Sequence, residues 1–195
     1  MSKYRALTRK MCAAVLVLIA TPLIATPADA APSTTASSAD TTSNGRACLF
    51  LAPAGAGYAG HTGWAVLGTG TWYGGATEQE SNSPTTGNAS WIKGARNMAE
   101  LINLFKHQPQ RGDRPYTKYR CKNVAHADAA AATVKFKQLA RTKYNFYNNN
   151  CLTRSIETFW AYSPDLNGLY RGANTPPTLY YTGTGLAGFE ESHDI

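Results

Sequence analysis

Beyond its first thirty residues the chain has no apolar run long enough to cross a bilayer, no block of lysine and arginine, and no repeat of twenty to fifty residues. These absences argue against integral membrane contact, nucleic-acid binding and a solenoid architecture in turn. The four cysteines and four histidines show no spacing of the structural-zinc kind, so neither a metal nor any other cofactor is expected. No Gly-x-Ser-x-Gly elbow is present to support a serine hydrolase. Gly55-Ala56-Gly57-Tyr58-Ala59-Gly60 spells the dinucleotide fingerprint. A β-rich, glycine-broken segment follows it rather than a helix, which leaves it as a turn.

What is present begins with an export leader. Lys3, Arg5, Arg9 and Lys10 precede the apolar run Met11 to Ala20, which extends to Ile24, and Ala28-Asp29-Ala30 supplies a small-x-small cleavage site. We expect a signal peptide over residues 1–30 and a secreted protein cleaved near Ala30. Cleavage removes Cys12 and leaves 15 basic against 11 acidic residues, a net charge of +4. Such mild positive charge speeds encounter with an anionic cell wall or membrane surface without identifying either. Residues 31–45, dominated by Ser, Thr, Ala and Pro, bury too little apolar surface to offset their ordering entropy and are read as a flexible arm. Residues 46–195 match one domain of ordinary size.

Within that domain the first half reads as strand and the second as helix, an α+β class with an antiparallel sheet packed against helices. Ala47 to Leu51 is a short apolar run stopped by Pro53. His61 to Leu67 and Gly70 to Thr77 form a hairpin around Gly68-Thr69. Ser90 reads as the N-cap of a helix through Trp91, Ile92, Ala95, Met98, Ala99, Ile102 and Phe105 that ends near His107. The basic, polar stretch Gln108 to Asn123 reads as a loop carrying Cys121. Further helices are expected over Asp128 to Lys143 and from Cys151 to Ser163-Pro164, and the tail is expected to be irregular or to add an edge strand.

Three cysteines remain in the exported form, so a Cys48–Cys121 bridge leaves Cys151 as an odd thiol. Cys151 opens a helix, with Asn149 or Asn150 able to cap it. The helix dipole and the unpaired amides of the first turn favour thiolate over thiol, and the same amides stabilise an oxyanion. A base is still required. His61, at a strand entry among small neighbours in Gly60-His61-Thr62-Gly63-Trp64-Ala65-Val66, is better placed than His107, His126 or His193. The group that orients the imidazole is left open among Glu78, Thr77 and Tyr73, with Glu78 named first.

An early strand histidine followed by glycine and hydrophobic strand residues, paired with a late Asn-Cys opening a helix, resembles the circularly permuted papain-like fold. That group includes relatives of the NlpC-type cell-wall peptidases and of lecithin retinol acyltransferase. The resemblance covers His61 to Thr77 and Asn149 to Trp160, and it implies that Cys151 is the nucleophile and His61 the base. Leu152-Thr153-Arg154 replaces both the Ser-Gly of the peptidases and the Glu-His of the acyltransferases, and no second histidine stands on the next strand. The implied activity is hydrolysis or acyl transfer at an amide or ester, with a peptide, cell-wall or acyl substrate. The contrasting expectation is a non-catalytic secreted binding or structural domain in which Cys151 is buried or bridged. Oligomeric state is not legible in the sequence. The style of the leader points to a bacterial exporter.

Overall fold

A computed structural model describes residues 44–78, 90–109 and 114–195. The leader and nearly all of the arm therefore lie outside the described residues. Six strands form one antiparallel sheet in the order β4-β3-β2-β1-β5-β6. They are β1 (Gly45–Ala52), β2 (His61–Leu67), β3 (Trp72–Thr77), β4 (Ser90–Ala95), β5 (Lys118–Val124) and β6 (His193–Asp194). Among the described residues four α-helices accompany them, namely α1 (Met98–Lys106), α2 (Ala129–Ala140), α3 (Cys151–Tyr162) and α4 (Pro177–Thr182). The class is α+β, with the histidine strand before the cysteine helix.

β1 is covered on both faces, which explains why its sequence is continuously apolar instead of alternating. Ala47, Leu49 and Leu51 enter a core with Trp64, Phe136, Ile156 and Phe159, beneath α2 and α3. Cys48, Phe50 and Ala52 enter a second core with Leu101 and Phe105 of α1. Phe50 and Phe105 stack with ring centroids 3.8 Å apart, and burying each such ring stabilises the fold by about 1.5–3 kcal/mol. α1 lies so close to β2 that a Cβ on Gly63 would stand 2.4 Å from the Phe105 ring.

Three expectations need correction. Ser90 to Ala95 is strand β4, and the helix begins only at Met98, where the Asn97 side chain accepts the Glu100 amide. Trp91 and Ile92 satisfy a helical spacing by coincidence, and the ladder with β3 wins because these residues also suit a pleated surface. Lys118 to Val124 is strand β5, not loop. Its alternation was hidden by charge, since Arg120 points inward and donates to the Tyr181 and Glu190 carbonyls at 2.9 and 2.8 Å. β1 also begins at Gly45, inside the span assigned to the arm. The tail contains α4 as well as the short edge strand β6.

Cys48 and Cys121 are directly paired across β1 and β5 and form a disulfide. The bridge spans 73 residues of chain, and in the chain-entropy model a loop of that length contributes up to about 4 kcal/mol. We expect the Cys48→Ala/Cys121→Ala protein to lose about 3–4 kcal/mol of stability in urea titration while its far-ultraviolet circular dichroism is retained.

Candidate active site

The sheet and α3 meet where β2 begins. Asn150 caps α3 through a reciprocal box: its side chain accepts the Thr153 amide at 3.0 Å, and its own amide donates to Thr153 Oγ1 at 2.8 Å. This arrangement fixes Cys151 as the first helical residue, facing the positive end of the backbone dipole. Ser163 closes the helix before Pro164, as Ser-Pro requires. Gly60, with φ of 92°, turns the chain into β2, and a Cβ there would lie 2.3 Å from Thr178 Oγ1. The position needs glycine both for its backbone and for its space.

Cys151 is the free cysteine of the described residues, and its side chain contacts His61. His61 Nε2 lies 3.2 Å from Glu78 Oε2, in an ion-pair contact and not an aligned hydrogen bond. Glu78 Oε1 accepts the Trp91 indole N–H at 2.8 Å and the Tyr116 hydroxyl at 3.0 Å. The carboxylate is therefore held in place before it meets the histidine. The Tyr116 ring packs against the imidazole, with centroids 5.9 Å apart.

The electrostatics follow from this geometry. Burial opposes charge on either partner, yet the Cys151 thiolate and then Glu78 hold the His61 imidazolium well above its ordinary range, to about 9. Burial likewise opposes the thiolate, and His61 together with the amide and hydroxyl of Thr62 outweighs it, drawing the thiol down to about 7. The two groups titrate as one buried ion pair.

Of the three candidates for the orienting group, the structure brings only Glu78 to the imidazole. Thr77 Oγ1 instead accepts from Arg154 and shares a hydrogen bond with Ser90. Tyr73 packs against the core beneath α2 and α3. Asn150 is the cap, but neither asparagine offers its side chain to a reacting oxygen. Asn150 Nδ2 donates to the Phe146 carbonyl, while Asn149 Nδ2 donates to Thr142 Oγ1 and the Lys143 carbonyl. His107 closes α1, His126 lies between β5 and α2, and His193 stacks on Tyr119 at the sheet edge.

Sequence reasoning missed Thr62, Trp91, Tyr116, Tyr144 and Arg154. Tyr144 places its hydroxyl 3.3 Å from the Cys151 amide, which donates to it. Arg154, one turn beyond Cys151, is 2% exposed. Its guanidinium donates to Thr77 Oγ1, Asn149 Oδ1 and the Thr142 carbonyl at 2.9–3.1 Å, and lies 5.1 Å from the centre of the Tyr144 ring. No local pattern signals these roles, because Thr62, Trp91, Tyr116 and Arg154 act on residues distant in the chain and Tyr144 meets Cys151 through an irregular loop. Only the capping asparagine was legible from its neighbours.

Cys151 forms part of the lining of a cleft of about 330 Å³. No family model, curated protein or solved structure matches the chain. Among the described residues there is no cluster of His, Cys, Asp or Glu able to hold a metal ion, and no helix long and apolar enough to cross a membrane.

Proposed function

We propose that the protein is a secreted thiol hydrolase or acyltransferase of permuted papain-like type, acting on an amide or ester bond. The observation that carries this reading is the buried line Cys151–His61–Glu78, with its sulfur opening on a cleft. A structural core cysteine would not require an imidazole backed by a carboxylate that is itself held by two donors. Export rests on the leader at residues 1–30, and peptide or cell-wall amides are the substrate class that fits it.

The chemistry follows from the atoms in place. The Cys151 thiolate adds to the carbonyl carbon, and the carbonyl π pair moves to oxygen. The carbonyl oxygen takes over the Cys151 N–H that the Tyr144 hydroxyl accepts at 3.3 Å in the resting protein, with that hydroxyl beside it. The tetrahedral intermediate collapses by breaking the bond to the leaving nitrogen or oxygen, which takes the proton from His61. Water, or an acceptor alcohol or amine, then gives a proton to His61 and attacks the thioester, releasing the thiolate. Glu78 orients the ring and stabilises it whenever it carries the proton.

The test is the pH dependence of iodoacetamide labelling on the mature protein, with the labelled peptide identified by mass spectrometry. Cys151 should label with an apparent pKa near the value of about 7. In His61→Ala that value should rise above the ordinary thiol value of about 8.5, because burial remains and the cation is gone. Glu78→Gln should raise it less. An unreactive Cys151 in the native protein would overturn the reading and leave a non-catalytic binding domain.

A further inference from the structure

The cleft that reaches Cys151 has its own chemistry. Its walls include Tyr144, Phe146, Tyr147, Pro176 and Pro177, and apart from the Cys151 thiolate no charged side chain lines it among the described residues. The polar groups of the lining are largely spent inside the protein. Asn150 caps α3, the Asn174 and Thr175 amides donate to the Tyr147 and Gly172 carbonyls, and Thr175 Oγ1 donates to the Ala173 carbonyl. What lines the space is mainly ring and pyrrolidine surface, together with the exposed Asn174 and, at the reacting end, Cys151 beside the Tyr144 hydroxyl.

The walls are also fixed to one another. The Asn174 amide to the Tyr147 carbonyl, at 2.7 Å, joins the loop before α3 to the segment before α4. Thr178 donates to the Ala59 carbonyl from its amide at 3.0 Å and its hydroxyl at 3.1 Å, joining α4 to the turn before β2. Proline at 176 and 177 stiffens the third side. A pre-formed cleft of about 330 Å³ lies at the small end of ligand pockets. It suits one bulky side chain better than a long acyl chain. Phe146 and Tyr147 are 50% and 70% exposed at its rim, so their rings have surface left to bury against an occupant.

We infer that this cleft is a specificity pocket for a neutral, apolar group of about one aromatic or branched side chain flanking the scissile bond, with Phe146 and Tyr147 setting the preference. A carboxylate or ammonium entering it would lose its water without gaining a partner. The preferred substrate is therefore an amide or ester with an aromatic or branched apolar residue beside the reacting carbonyl, and not one bearing a free charge there. This inference rests on the reading of Cys151 as an accessible, activated thiol.

Alkylation tests it without a known substrate. Cys151 is labelled with N-benzyl-2-chloroacetamide, with chloroacetylglycine and with N-(2-aminoethyl)-2-chloroacetamide. Each rate is divided by the rate of the same reagent with glutathione and by the protein's own iodoacetamide rate. The benzyl reagent should lead both charged reagents by about tenfold or more, with saturation. In Phe146→Ala/Tyr147→Ala the lead should fall below about threefold, and Phe146→Leu should retain most of it. If the three reagents label at their glutathione ratio while Cys151 keeps its lowered pKa, the pocket inference is overturned and the thiol hydrolase reading stands. Failure of iodoacetamide to label Cys151 at any pH overturns both.

Discussion

Cys151→Ala is expected to hydrolyse p-nitrophenyl phenylacetate no faster than buffer, a loss of about 10⁴-fold or more relative to the native protein. The covalent step needs the sulfur, and no other side chain at the cleft end can replace it. His61→Ala should lose nearly as much, and the double variant little more than either single one, because the two residues act as a unit. Turnover of the native protein should rise with pH through about 7, as the thiolate forms, and fall through about 9, as the imidazolium loses the proton it must give the leaving group. Folding should survive the change at Cys151, since the capping box involves Asn150 and Thr153 and not the thiol. With the thiolate removed, His61 loses the largest influence raising its pKa. Its proton titration, followed by NMR in Cys151→Ala, should therefore move down while Glu78 still supports it. A variant that keeps its activity would end the nucleophile assignment.

Arg154→Met is expected to lower stability by about 2–4 kcal/mol, with a fall in melting temperature on the order of 10 °C for a domain of this size. Methionine fills much of the volume but leaves the Thr142 carbonyl and Asn149 Oδ1 without the donor that now satisfies them. These two acceptors are part-buried and Thr77 Oγ1, which also loses the guanidinium, is buried, so their summed loss falls within the range set by about 1–3 kcal/mol per fully buried group. Lysine should rescue little. Its point charge cannot reach β3, the loop before α3 and the Tyr144 ring together as the planar guanidinium does. Because Arg154 steadies Tyr144, turnover should fall more than iodoacetamide labelling of Cys151 does, a split that a purely global loss of stability would not give. Calorimetry and the two rates, taken on the same preparation, decide it.

The sequence by itself determined the α+β class, the hairpin β2–β3, the helix over α2 and the start and stop of α3. These are local matters of spacing and capping, read from Asp128, Asn150 and Ser163-Pro164. The odd count of cysteines left one thiol over, and the pairing of β1 with β5 decided that the bridge is Cys48–Cys121 and the free thiol Cys151. Tertiary structure alone decided β4 and β5, where partner strands overrode a chance helical spacing and a charged composition. It also shows which of Glu78, Thr77 and Tyr73 lies at the imidazole. The three lie within a few residues on or beside one strand, and only Glu78, just past its end, reaches Nε2 of His61, fastened there by Trp91 and Tyr116. Arg154 was illegible for the same reason, since a buried guanidinium is explained by acceptors on β3 and at both ends of the α2–α3 connection, which meet only when the sheet and helices have packed.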